Sequence, residues 1–186
     1  MKMAQAGMVA LMFAGMFPLH SQSSSDLRTA AALTHVRNSF KLTVHASYQD
    51  TAPLFGPNGE RSWAGAHWNP QFLYPQPGPH SDEDVQGVVF TVAHGAHTAV
   101  WLNTLFDVDA RHFQYVYFIP DMVVTQIDVR FEPLAANSTE VQVVYTRTAL
   151  TTEANEDVQS LGDADRTSGE HWQKAINDYL ASERHK

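Results

Sequence analysis

No cysteine occurs in the 186 residues of this chain. That absence removes disulfides, thiolate metal ligands and a cysteine nucleophile together, so the fold must be held by its core alone. Nor is there an apolar run of the roughly 20 residues that a membrane-spanning helix needs; the run from Ala6 to Leu19 is 14 residues long. Lys and Arg number only 12 against 20 Asp and Glu, giving a formal charge of −8, and they form no cluster. A nucleic acid or an anionic membrane surface requires a basic face, so neither is expected as a partner. The sequence also lacks a Gly-Xaa-Ser-Xaa-Gly elbow and a glycine-rich phosphate loop, which leaves serine-hydrolase and nucleotide-binding readings without a motif.

What the N-terminus does contain is Lys2, the apolar stretch Ala6–Leu19 and then the small polar residues His20-Ser21-Gln22-Ser23. This composition predicts a signal peptide over residues 1–23 and an exported protein, periplasmic or secreted. Gly7, Gly15 and Pro18 weigh against reading the same stretch as a buried helix, because each costs helix stability. Loss of the leader removes Lys2 and takes the formal charge from −8 to −9. Residues 24–38 read as a linker or short helix with Ser24, Ser25 or Asp26 as a possible N-cap. Residues 39–186 then form one domain, expected to act as a monomer with no stable membrane insertion once the leader is gone.

Apolar residues alternate from Phe40 to Tyr48, the period of a half-buried strand. Residues 52–79 are dense in Pro, Gly and aromatics and admit only short helical pieces, near Thr51–Phe55 and Glu60–Ala64, followed by an aromatic loop, Trp68 to Pro75. The period then stays at two, with strands near Asp84–His94, Thr98–Asp107, Phe113–Pro120, Met122–Pro133 and Thr139–Leu150. Their short links carry turn residues, which predicts an antiparallel meander. From Asn155 to Glu183 the spacing becomes helical: Val158, Leu161, Asp165, Ser168, Trp172, Ala175, Ile176, Tyr179 and Leu180 share one face. Gly162 and Gly169 are expected to loosen the first half of that helix. The order of elements is α+β, with a curved antiparallel sheet wrapped around a long C-terminal helix and two short helices after the first strand.

Ordered fragments carry a resemblance to a known family. They include Pro53-Leu54-Phe55-Gly56-Pro57-Asn58-Gly59-Glu60-Arg61-Ser62-Trp63-Ala64, Phe72-Leu73-Tyr74-Pro75, Val89-Phe90-Thr91 with His94-Gly95, Trp101-Leu102-Asn103-Thr104, Gln114-Tyr115-Val116-Tyr117, Ile127-Asp128-Val129-Arg130 and Tyr145-Thr146-Arg147-Thr148-Ala149-Leu150. From Phe40 to Leu180 the chain resembles the START-like (SRPBCC) superfamily, in its bacterial branch of polyketide cyclase/dehydrase and lipid-transport type. The resemblance implies a helix-grip fold enclosing a hydrophobic cavity. It implies no reaction, since function lives in the site rather than the fold.

Strand direction selects the residues that face such a cavity. On the last strand Val141, Val143, Tyr145, Arg147 and Ala149 share the apolar face, which puts Arg147 inside. A buried Arg is costly unless paired, and Asp165 on the apolar helix face is the partner favoured for it, ahead of a ligand carboxylate. Tyr115 and Tyr117 face the same way on their strand, as do Trp101 and Asn103 on theirs, and Trp172 belongs to the helix face. The candidate ligand-binding residues are therefore Trp101, Asn103, Tyr115, Tyr117, Tyr145, Arg147 and Trp172, any of which can equally serve as core. His94 and His97 bracket a Gly turn, but two ligands without a third do not make a metal site, so a turn or mouth role is expected. Glu60 and Arg61 read as a local ion pair or cap, and Asp128 and Arg130 as solvated.

These residues contain no nucleophile–base pairing, and no cofactor or metal is expected. The leading reading is binding or transport of a hydrophobic or amphipathic, lipid- or polyketide-like molecule in an internal cavity. The alternatives are a cofactor-free cyclase or dehydratase working on such a ligand through Tyr, His and Arg groups, and a stress-response or interaction protein whose cavity has no function.

Overall fold

The computed structural model describes residues 32–75 and 84–184. The proposed leader, residues 1–23, and most of the proposed linker, residues 24–38, lie outside them. The first strand, β1, runs over His35–Val44 and so begins inside that linker; Val36 and Asn38 are half-buried and pair with β7. The short helix α1 (Tyr48–Thr51) and two 3-10 turns, Ala52–Phe55 and Gly59–Ser62, follow. Ser47 caps α1, its hydroxyl accepting from the Asp50 amide at 3.2 Å. The aromatic loop contains a strand, β2 (Gln71–Tyr74), whose alternation is too short to read. The meander comprises β3 (Val89–His94), β4 (His97–Asp107), β5 (His112–Ile119), β6 (Val123–Ala135) and β7 (Ser138–Ala149).

All seven strands form one sheet in the order β1-β7-β6-β5-β4-β3-β2, every pair antiparallel. The β1–β7 neighbours are distant in sequence and β2 is joined to β3 by a long connection from Tyr74 to Val89, while the strands from β3 to β7 are hairpin partners, as short turns dictate. Gly95 turns β3 into β4 at φ 60, the left-handed conformation that a two-residue hairpin loop requires. Register shifts in β4 between Asn103 and Leu105 and in β6 between Pro133 and Ala135 bend the sheet, because an extra residue on one strand tightens the local twist. The concave face carries the core: Leu42, Val44, Phe113, Ile119, Val129, Val141, Val143 and their neighbours are buried.

The C-terminal segment is two helices rather than one, α2 (Asn155–Asp165) and α3 (Ser168–Glu183). At the joint, the Thr167 and Ser168 hydroxyls both bond to the Ala164 carbonyl, local bonds that compete with continuation of the helix. Gly162 and Gly169 flank this joint and let the segment approach β1. A Cβ on Gly162 would lie 2.8 Å from Val36 Cγ2, and one on Gly169 would lie 3.1 Å from the Lys41 carbonyl. α3 also covers the free edge of β1. Gln173 accepts from the Thr43 amide, while Asn177 accepts from the His45 amide and donates to the Thr43 carbonyl, so backbone groups at the sheet edge find partners.

Candidate functional site

The antiparallel register sets side chains from six strands in one row. Phe72 pairs with Phe90, Phe90 with Trp101, Trp101 with Tyr117, Tyr117 with Thr125 and Thr125 with Arg147. Above this row, between the concave sheet, the two 3-10 turns and α3, lies a cavity of about 410 Å³. Aromatic rings make most of its wall. Trp101 stacks on Tyr117 at 4.4 Å and on Phe90 at 5.7 Å, and Trp68 stands edge-on to Trp101 at 5.2 Å. On the opposite side Trp63 meets Trp172 at 5.1 Å, with Phe55 beside both. The indoles of Trp63 and Trp68 are held by their N–H groups, which donate to the Leu54 and Pro57 carbonyls. The wall is therefore fixed without using atoms that face the cavity.

Arg147 is buried at the base. Its Nε and Nη2 donate to the two Asp165 carboxylate oxygens at 2.7 Å each, and its Nη1 donates to the Tyr117 hydroxyl and to Thr125 Oγ1. The guanidinium also lies 4.6 Å from the Tyr145 ring centroid. Burial alone would favour the neutral form, but the bonds to Asp165 and the neighbouring Tyr117 reverse this and hold Arg147 charged, above its ordinary range. The two-point fork leaves the pair electrically closed. The break between α2 and α3 makes this possible, since Asp165 is the last residue of α2 and is itself buried.

Glu60 is the other charged group on the lining. It stands on the second 3-10 turn, and its side chain has no hydrogen bond or ion pair among the described residues. It is half-buried. Burial, and secondarily the charge of Asp84, push its carboxyl well above the usual range. The Tyr115 hydroxyl donates to the Phe55 carbonyl, and burial followed by the Glu60 and Asp84 charges pushes that phenol up. Burial likewise raises the Tyr145 phenol, with Glu60 among the charges that reach it. His67, His94 and His171 are exposed yet line the cavity, and so mark its mouth. Burial, with Arg147 next, pushes His94 below its ordinary value. Among the described residues no group of three or more His, Asp or Glu is arranged to hold a metal ion.

Six of the seven residues expected at a ligand site line this cavity: Trp101, Tyr115, Tyr117, Tyr145, Arg147 and Trp172. Asn103 does not. It is fully buried, its Nδ2 donates to the Val85 carbonyl at 3.1 Å, and its backbone clasps Gly87 and Val88; it ties down the chain entering β3. The Arg147–Asp165 pair is present as expected. Glu60 and Arg61, in contrast, do not pair: Arg61 reaches away to Asn69 Oδ1 and the Pro70 carbonyl, and Glu60 turns inward. The lining residues that the sequence reading did not single out include Phe55, Glu60, Trp63, His67 and Trp68, which sit on irregular chain where no period reports direction, and His171 on α3. Asp128 is less solvated than expected, bonding His112 at 2.6 Å and Arg130 at 3.2 Å on the convex face. Among the described residues, no helix is long and apolar enough to cross a membrane.

No protein-family model matches the sequence, and no curated protein matches it. Solved structures do resemble it. Norcoclaurine synthase from Thalictrum flavum superposes with a TM-score of 0.58 at 14% identity, over 94% of this chain and 99% of the synthase. XoxI from Bacillus cereus gives 0.56 at 14% identity, over 81% and 99%. A START superfamily protein from Mycobacterium smegmatis gives 0.56 at 12% identity, over 80% and 99%. With its open seven-stranded sheet, paired short turns and C-terminal helix, this chain has the START-like, helix-grip fold.

Proposed function

We propose that the chain binds a compact hydrophobic or amphipathic molecule, polyketide-like rather than long-chain lipid, and does not transform it. The observation that carries this is the cavity of about 410 Å³ walled by aromatic rings. Its volume falls at the lower end of the roughly 300–1,000 Å³ typical of small-molecule sites. The START-like fold of the structural neighbours supports a ligand-binding reading. Binding is favoured over cyclase or dehydratase chemistry because the polar groups of Arg147, Tyr117 and Tyr115 are already committed. Arg147 is neutralised by Asp165, and the Tyr117 and Tyr115 hydroxyls are bonded within the protein. Export of the mature protein forms part of the same proposal and is checked by N-terminal sequencing of the protein recovered from its own cell.

The test uses the four tryptophans of the chain, all of which line the cavity. Titration with N-phenyl-1-naphthylamine, an uncharged aromatic probe, should quench their emission saturably and raise the probe's own fluorescence. Ala175→Trp, which places an indole in the cavity from α3, should abolish both changes while leaving the melting temperature within a few degrees. Unaltered probe binding by Ala175→Trp, or no saturable binding by the original chain, would overturn the proposal.

A further inference from the structure

We infer that the cavity takes an organic cation, an amine or quaternary ammonium group, with Glu60 as its counter-charge and the rings of Trp63, Trp172 and Phe55 as its cage. This rests on the reading that the cavity holds a small molecule, and it adds the sign of that molecule's charge. The groups facing the space are few. Arg147 is cancelled by Asp165 through two 2.7 Å bonds. Glu60 has no such partner among the described residues, and the charge of nearby Asp84 pushes its carboxyl up rather than holding it ionised. His67, His94 and His171 stand at the mouth, and His94 is held toward its neutral form. Among the described residues of the lining, Glu60 is thus the group that, once ionised, is left without a counter-charge.

A carboxylate removed from water is stable only when paired. Among the described residues no Lys or Arg pairs with Glu60, and the side of the cavity on which Glu60 sits is lined by the rings of Phe55, Trp63 and Trp172. Trp63 follows Glu60 on the same turn, with its backbone N–H bonded to the Glu60 carbonyl at 3.2 Å, and its ring lies 5.1 Å from Trp172 and 6.1 Å from Phe55. Aromatic faces together with a carboxylate are the elements that recognise ammonium groups. In the empty protein burial favours a protonated Glu60, so a bound cation must displace that proton, and affinity should fall as pH is lowered. Protonation of His94 at the mouth acts in the same direction, whereas Tyr115 and Tyr145, with phenols pushed up, do not titrate in that range.

The experiment compares three probes on the full chain by tryptophan quenching: benzyltrimethylammonium, its uncharged isostere neopentylbenzene, and benzenesulfonate. The cation should bind at least tenfold tighter than the isostere at pH 7.5, and the sulfonate weaker than both. In Glu60→Gln the cation should lose at least tenfold while the isostere changes less than twofold. The fall of cation affinity at low pH, up to about tenfold per pH unit while Glu60 is protonated, should shrink to the histidine contribution in that variant. Isostere binding with no preference for the cation would overturn this inference and leave the proposed function standing, with Glu60 then a neutral hydrogen-bond donor. No binding of any probe would remove both. Should Glu60→Gln fail to fold, the cation-to-isostere ratio of the unaltered chain and its pH profile decide alone.

Discussion

Removing Asp165 while keeping Arg147 is the most informative perturbation of the base. Both side chains are about 6% exposed, and the carboxylate engages Arg147 Nε and Nη2. Asp165→Ala leaves a buried guanidinium with only Tyr117 and Thr125 to bond, and loss of one partner of such a pair costs about 3–5 kcal/mol. Arg147→Met leaves the complementary buried carboxylate and should cost a similar amount. Replacing both, as in Arg147→Met with Asp165→Leu, removes both desolvation penalties and should restore most of the loss, since apolar substitutes for buried pairs are often neutral or stabilising. Urea denaturation of the four proteins gives each stability at constant m, and the cycle isolates the coupling. The expected coupling exceeds about 2 kcal/mol, at the upper part of the range for residues in one network. A cost below about 1 kcal/mol for Asp165→Ala, or a double variant as unstable as the two losses added, would refute the argument. Stable folding of Arg147→Met with selective loss of acidic ligands would instead make Arg147 a ligand anchor.

The remaining predictions concern the cavity rim and the chain that enters β3. Because the Glu60 carboxyl is pushed up in the folded protein, its protonated form stabilises the fold. That contribution is complete below the ordinary value of 4.5 and lost as pH rises through the folded value. Glu60→Gln should therefore melt higher than the unaltered chain near neutrality, with the difference vanishing as pH falls toward 4; a constant difference across that range would contradict the assignment. A Cβ at Gly59 would lie 1.8 Å from the Pro53 carbonyl oxygen, a backbone atom that cannot rotate away. Gly59→Ala should cost about 1–3 kcal/mol or more, as overpacking does, and calorimetry should show it. Asn103→Ala removes the Nδ2–H bond to the Val85 carbonyl, which the Val88 N–H also reaches, and should cost about 0.5–1.5 kcal/mol. Its affinity for N-phenyl-1-naphthylamine should stay within about twofold, whereas a larger loss would return Asn103 to the ligand site.

The legible parts of the fold were those where a period runs long enough to assign a face. β7 alternates through Val141, Val143, Tyr145, Arg147 and Ala149, every one of them buried. That single strand supported both the inward direction of Arg147 and, with the helical spacing of Asp165, its partner. Asn103 shows where the same rule fails. It does face inward, but the β4 bulge and the entering chain at Val85–Val88 take it out of the cavity, and a bulge leaves no mark in a pattern of two. The break between α2 and α3 was hidden for a similar reason. The apolar stripe continues across Arg166 and Thr167, and the hydroxyl bonds that interrupt the helix there involve residues that also sit comfortably on helical surfaces.

Whether the inward rings are core or cavity lining does not divide them into two sets. Trp101 is stacked on Tyr117 and Phe90 and still presents a face to the cavity, and Trp172 packs on Phe40 at 5.3 Å while lining the other side. A ring locked by neighbours on one face is rigid on the other, and a wall that does not need ordering on binding costs a ligand less affinity. Within this apolar interior the two charged sites differ. At the base, Arg147 and Asp165 satisfy each other and hold α2 to β7; at the rim, Glu60 remains unsatisfied among rings. A fold under selection for stability alone gains nothing from a half-buried carboxylate with no partner, and exchanging it for Gln should stabilise the empty protein. The position of Glu60 is thus a place where the empty chain gives up stability, and the rings around it are where a ligand would return it.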